Sequence, residues 1–301
     1  MPITRNSITL PPDVSAEIIQ KTQEQSAVMQ LARQIALPGR GATIQVITSD
    51  PEAAWVSEGD AKPASDPGLT TKLMTPYTLA VIAPFSKQFV RDAAALYDAL
   101  IGRMPLALAY KFDQTCFGAL SKPGDNFDTF ADCTAVSLDD DAYGNLVAAN
   151  YNIAKNGGAA NGYALSPLGK GVLLSAVDKN DRPLFINSAA EGALPVILGS
   201  RVVESKGAYA SGTPSTVGVV GDWTQAMYGT VEGVDISISE EATLKVGDST
   251  INLWQNNMVA VRAEIELGFR ADTSVFNLLT TTESSDKAAE AKAEAAEAKK
   301  K

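Results

Sequence analysis

The sequence has no histidine and only two cysteines, and each scarcity removes a class of chemistry. Without imidazole there is no Ser-His-Asp or Cys-His pair, no histidine general base near neutral pH and no His-containing zinc site. Cys116 and Cys133 lack C-x-x-C spacing and read as two free thiols in a reducing compartment. No apolar run reaches the ~18–20 residues of a membrane span. The start, MPITRNSITLPPD, has no basic flank followed by an apolar stretch, so the expectation is a chain made in the cytoplasm. Positive charge is also short. The 25 Lys and Arg against 35 Asp and Glu leave a net charge of −10, the wrong sign for a protein that reads DNA or RNA through dense phosphate contacts.

What is present suffices for real cores. The 301 residues are 45% hydrophobic, enough for about two domains. The strongest periodic signal runs from Ser86 to Gly118. There Phe89, Ala93, Tyr97, Leu100, Met104, Leu108, Phe112 and Cys116 recur at steps of three or four, one face of a helix. Ser86 is placed to cap it, and Gly118 with Lys122-Pro123-Gly124 to stop it. The expectation is one helix roughly 50 Å long, bent at Pro105.

Residues 1–40 read as an arm. Leu10-Pro11-Pro12 is extended, a short helix over VSAEIIQKTQEQS offers only Val14, Ile18 and Ile19, and a second patch of Ala27, Val28, Met29, Leu31, Ile35 and Leu37 ends at Pro38-Gly39. That patch either packs on the chain's own core or reaches a neighbouring subunit. From Thr43 to Val81 two alternating strands, around Ile44-Val46-Thr48 and Leu79-Val81, flank a polar excursion through Trp55, Glu58, Gly59 and Lys62. The result is an extended hairpin with little core of its own. Trp55, its one large apolar handle, is a local plug or an interface anchor.

Further on, Asp139-Asp140-Asp141 reads as a capped helix start rather than a metal or acid site, because adjacent carboxylates diverge. Tyr163-Ala164-Leu165 reads as a strand, Ser166-Pro167 as the start of a helix, and Leu194–Val203 as a buried strand. Gly157, Gly158 and Gly162 form neither G-x-G-x-x-G nor a P-loop, and Ser166 and Ser239 have no evident base. Val234, Ile236 and Ile238 alternate, as do Val259, Val261, Ala263, Ile265, Leu267 and Phe269; the second set is a half-buried strand long enough to run beside the helix. After Ser284 only alanine is apolar, and an exposed tail is expected. The fold class is α+β.

Five pieces in order resemble the major capsid proteins of tailed bacteriophages with the Hong Kong 97-type fold. They are AAWVSEGDAKPASDP (Ala53–Pro67), IAPFSKQFVRDA (Ile82–Ala93), GYALSP (Gly162–Pro167), VVGDWTQAMYG (Val219–Gly229) with VDISISEEA, and LWQNNMVAVRAEIELGF (Leu253–Phe269). The resemblance, from about Leu10 to Thr280, implies an N-arm (1–40), an extended E-loop hairpin (41–82), a peripheral domain with a long spine helix (83–135 and 251–282) and an axial α/β domain (136–250); the alanine- and charge-rich tail (283–301) lies outside it. The same resemblance implies a structural, non-enzymatic subunit without cofactor or metal, forming hexamers and pentamers of an icosahedral virion shell around double-stranded DNA, assembled in a host bacterial cytoplasm. Portal, a separate scaffolding protein and a decoration protein are the implied partners, with no membrane. With no long helical scaffolding segment read ahead of the arm, the expectation is a separate scaffold or none. An encapsulin-type nanocompartment shell is the alternative, and a hydrolase using Asp139–Asp141 or Glu240/Glu241 a remote one.

Some members of the resembled family join subunits through an isopeptide bond between an E-loop lysine and a peripheral asparagine, helped by a glutamate. Asn257 and Glu264 match those positions, while Lys62 is the one lysine of the hairpin tip and has no defined motif around it. Strict alternation would put Asn257 and Glu264 on opposite faces. The expectation is that no cross-link forms, that Asn257 closes a turn and that Glu264 pairs with a cation.

Overall fold

The computed structural model describes residues 26–49, 53–57, 61–62, 64, 68–92, 100–139, 141–176, 184–185, 196–246 and 249–282. The first is Ser26, which caps a short helix, α1 (Ala27–Leu31), by accepting from the Met29 N–H. Ser26 to Met29 are buried, and β1 (Arg33–Ala36) pairs in parallel with a later strand, Arg33 opposite Met227. Of the two readings of this patch, residues 26–37 follow the first and pack on the chain's own core. Residues 1–25 lie outside the described residues.

The hairpin is built differently from the sequence expectation. Strand β2 (Ala42–Ser49) pairs with β3 (Gly68–Met74), not with the segment around Leu79. After Met74 the chain turns at Thr75-Pro76, and β4 (Tyr77–Ser86) leaves for another sheet. Pro76 has no N–H to continue the ladder, so the strand divides there.

The expected single helix is likewise divided. A short α2 (Lys87–Asp92) follows β4, Leu100 and Ile101 are helical, Gly102 and Arg103 form a turn, and α3 (Met104–Cys116) starts afresh with Pro105 in its first turn. Proline lacks the N–H that an interior position must donate and is at home in a first turn, so the helix restarts at Pro105 instead of bending through it. Residues 93–99, with Ala93 and Tyr97, lie outside the described residues. Where α3 is continuous its face is as expected: Met104, Leu108, Phe112 and Cys116 are buried.

Next come β5 (Thr134–Ser137), α4 (Ala142–Lys155), capped by Asp141, and β6 (Gly162–Leu165). Helix α5 (Pro167–Ser175) follows, capped by Ser166 with proline at its first position, as the sequence suggests. Leu194–Val203 is not one buried strand. Within it β7 (Val196–Ile197) and β8 (Ser200–Glu204) form a tight hairpin around Leu198-Gly199, both with positive φ, and Val196 is exposed. A two-residue turn with positive φ at both positions matches strand twist, and apolarity alone could not signal it.

The remaining strands are β9 (Ser215–Gly221), β10 (Ala226–Thr230), β11 (Asp235–Ser239), β12 (Thr243–Val246), β13 (Ser249–Asn252), β14 (Met258–Ala271) and β15 (Phe276–Thr281). Two main sheets result. In one, β14 is central: β4 pairs along one side from Met258–Ser86 to Leu267–Tyr77, β10 and β11 share the other side, and β1 extends beyond β10. The other runs β5-β15-β9-β6-β8-β7, with β15 buried throughout. The alternation of β14 is as expected, with Val261, Ala263, Ile265, Leu267 and Phe269 inside and Arg262 and Glu266 exposed. Phe130 ties the sheets together, its ring 5.3 Å from Phe269 of the first, 4.9 Å from Phe276 of the second and 5.4 Å from Trp223.

Candidate assembly surfaces

The hairpin stands on a prepared base. Gly229 and Gly268 face each other across β10 and β14; a Cβ at Gly268 would sit 2.7 Å from the Met74 side chain and one at Gly229 would overlap Leu37. The bare patch seats Met74, which is fully buried at the root of β3. Arg270 completes the clamp by donating to the Leu73 carbonyl and the Asn126 side chain and, at 2.7 Å, to Asp128, while Lys72 lies 3.9 Å from Asp128. These are charge-assisted bonds in a half-covered site, the strong kind.

Beyond that base the described residues of the excursion stand in solvent. Ala53 to Ser57, Ala61 and Lys62 are exposed, and Trp55 has a relative exposure of 105%. Trp55 is therefore no local plug. Glu58 and Gly59 lie outside the described residues.

Of the residues assigned to a spine, Phe89 is half-buried and stacks on Phe85 with ring centres 6.0 Å apart, Leu100 is exposed, and Met104, Leu108 and Phe112 are core. The sequence reading missed Asp113 on the same helix. Its carboxylate is fully buried and accepts from the Ser26 hydroxyl at 2.6 Å, the Ser205 hydroxyl at 2.6 Å, the Ala27 N–H at 2.9 Å and the Val28 N–H at 3.4 Å. It pins α1 and the Ser205–Ala208 turn to α3. Burial pushes its pKa up, and the four donors oppose that without cancelling it. The signal was there: Asp113 falls between Ala109 and Cys116 on an apolar face, where a carboxylate must find donors.

The acidic candidates are occupied structurally. Asp141 caps α4 through the Gly144 N–H, and Asp140 lies outside the described residues. Asp139 accepts from Ser137, Thr281 and Thr282; burial pushes its pKa up, but these bonds outweigh it and hold the carboxyl below the usual range. Glu240 pairs with Lys87 at 2.9 Å, away from its neighbour Glu241. Among the described residues no three His, Cys, Asp or Glu cluster to hold a metal.

Asn257 and Glu264 are not brought together. Asn257, with φ +54°, closes the turn before β14, and Glu264 lies 3.3 Å from Arg262. Seven residues of strand put them about 23 Å apart in one subunit. Alternation does not apply to Asn257, because β14 begins at Met258.

The sequence profile of the phage capsid family matches residues 6–274. The chain belongs to the phage capsid family. Among relatives of this capsid chain, the probable major capsid protein gp17 of Mycobacterium phage L5 is 31% identical over 92% of this chain and 90% of its own length. Its counterpart in Mycobacterium phage D29 is 29% identical over 90% and 89%. A solved structure from Gordonia phage Cozz shares the fold, with TM-score 0.71 and 20% identity over 87% of this chain and 88% of that one. The Hong Kong 97-type resemblance thus holds for the α+β architecture.

Proposed function

We propose that this capsid-family chain is the major capsid protein of a tailed bacteriophage, a subunit that assembles with copies of itself into the hexamers and pentamers of an icosahedral shell. The observation that carries the proposal is the hairpin, fixed at its root by Met74 and Arg270 and without any contact in its own subunit at Trp55. Ordering so exposed an element is unfavourable unless it buries its surface on a neighbour, and Trp55, Glu58, Gly59 and Lys62 are the residues assigned to that contact. Assembly occurs in the host cytoplasm on a separate scaffold, with a portal at one vertex and a decoration protein as a further partner. The net charge of −10 suits an inner wall over which double-stranded DNA slides, touched only non-specifically. No enzymatic role is assigned, and an encapsulin-type shell would differ in enclosing protein cargo instead of DNA.

The division of labour is an arm within 1–40, of which residues 26–37 pack on the core, the E-loop within 41–82, its hairpin spanning Ala42–Met74, the peripheral domain at 83–135 and 251–282, the axial domain at 136–250 and an alanine- and charge-rich tail at 283–301. Sedimentation of the purified chain tests the reading. Fast-sedimenting closed particles are expected, and deletion of residues 57–67 should leave a folded, slowly sedimenting subunit. Normal particles from the deletion would remove the hairpin from the assembly mechanism.

A further inference from the structure

Helix α3 leaves a strip of its surface bare. Leu106 and Tyr110 are exposed on it, Leu100 is exposed ahead of them, and at spacings of four and three residues Leu106, Tyr110 and buried Asp113 share one side of the helix. The charges beside the strip are positive: Arg103 precedes the helix, Lys111 lies on it, and Lys206 opens the turn that packs against it, all three exposed. The only carboxylate of α3 is Asp113, which is fully buried. We propose that residues 14–25 of this same chain cover the strip as an amphipathic strap, running alongside α3 in their own subunit and joining the core at Ser26.

Three observations select this occupant. The first is where the segment arrives. Ser26 donates its hydroxyl to Asp113 at 2.6 Å and Ala27 its N–H at 2.9 Å, so the chain ahead of them is held at the end of the strip. The second is composition. Val14, Ile18 and Ile19 suit one side of a helix, and Asp13, Glu17 and Glu24 outnumber Lys21, which complements Arg103, Lys111 and Lys206. The third is register. Ile19 stands seven residues before Ser26 and Leu106 seven before Asp113, so two helices climbing together at about 1.5 Å per residue bring them level. Glu17 then falls within one residue of Arg103, and Val14 within one of Leu100. A helix this short is marginal alone in water, so the strip is what orders it. The strap also sets how far the arm reaches. With residues 14–25 tied down only residues 1–13 can extend, and the span available to a stretched arm drops from about 85 Å to about 45 Å.

Hydrogen exchange of the purified full-length chain tests the strap. Backbone amides of residues 16–25 should exchange at least several-fold more slowly in the wild type than in the double variant Leu106→Asp with Tyr110→Asp, whose substitutions fall on exposed positions and should leave the core folded. Cross-linking assigns the strap to its subunit. Ile19→Cys with Leu106→Cys in one chain, treated with a short bismaleimide, should give a cross-link within that chain, found by peptide mass mapping, and neither single variant should give one. Native Cys116 and Cys133 are buried and stay silent, the latter with its thiol pushed up to about 12. When chains carrying only Ile19→Cys are co-expressed with chains carrying only Leu106→Cys, covalent dimers would show that a neighbour's segment covers the strip and would overturn the proposal. Residues 16–25 that exchange at free-chain rates, or that stay equally protected in the double variant, would overturn it as well. The inference concerns the fold of one subunit, so particles that form while this segment exchanges freely would refute the strap and leave the shell reading standing.

Discussion

Asp113 shows how one residue can hold three segments together at a pH-dependent cost. Its four donors are all neutral, so no cation offsets the burial of the charge. Asp113→Ala would strand two hydroxyls and two amides and should lower the unfolding free energy of the free subunit by about 3 kcal/mol or more. Because its pKa is raised on folding, the folded subunit holds the proton more tightly than the unfolded chain. Stability from this group is therefore full below the ordinary carboxylate value of about 3.9 and is lost as pH rises through the folded value. The stability difference between wild type and Asp113→Asn, which cannot titrate, should narrow as pH climbs from about 4 to 7; a gap that widens would contradict the assignment. The second prediction at this scale concerns Lys62, Asn257 and Glu264. With Asn257 and Glu264 about 23 Å apart in one subunit and Glu264 beside Arg262, mature boiled particles should run as a single band near 31.6 kDa on a denaturing gel. A ladder abolished by Lys62→Ala or Asn257→Ala would show a covalent lock.

Among the elements, the hairpin and its clamp carry most of the functional argument. Arg270→Ala removes donors to Leu73, Asn126 and Asp128 and should destabilise the free subunit by about 2–3 kcal/mol while impairing assembly, read by thermal melting and sedimentation. The tail is the opposite case. Its residues 283–301 lie outside the described part and have only alanine to bury, so truncation after Thr282 should leave melting temperature and particle size unchanged. The two elements that the sequence analysis drew too simply both turn on proline. Pro76 separates β3, the true partner of β2, from the Leu79-Val81 segment that the sequence pairs with it, and Pro105 opens a new helix where periodicity alone runs straight through. Periodicity reports which face is buried and is blind to a break that preserves the face. That is why Met104, Leu108, Phe112 and Cys116 are buried as expected although the helix containing them is not continuous.

For the whole molecule, the alternation of β14, the caps at Asp141 and Ser166 and the ordered capsid-like pieces made the fold class and family legible from residues alone. What could not be read was tertiary. The Gly229–Gly268 seat and the Arg270 clamp each join residues far apart in the chain and leave no local pattern; Asp113 left only the local sign of a carboxylate on an apolar face, not its partners. The central claim is that this subunit completes itself only in a closed shell, its hairpin lying on a neighbour. Cryo-electron microscopy of the purified protein tests it most directly. The account predicts closed icosahedral particles of hexamers and pentamers in which each hairpin tip rests on the adjacent subunit; folded monomers or open oligomers with the hairpin free in solvent would contradict it.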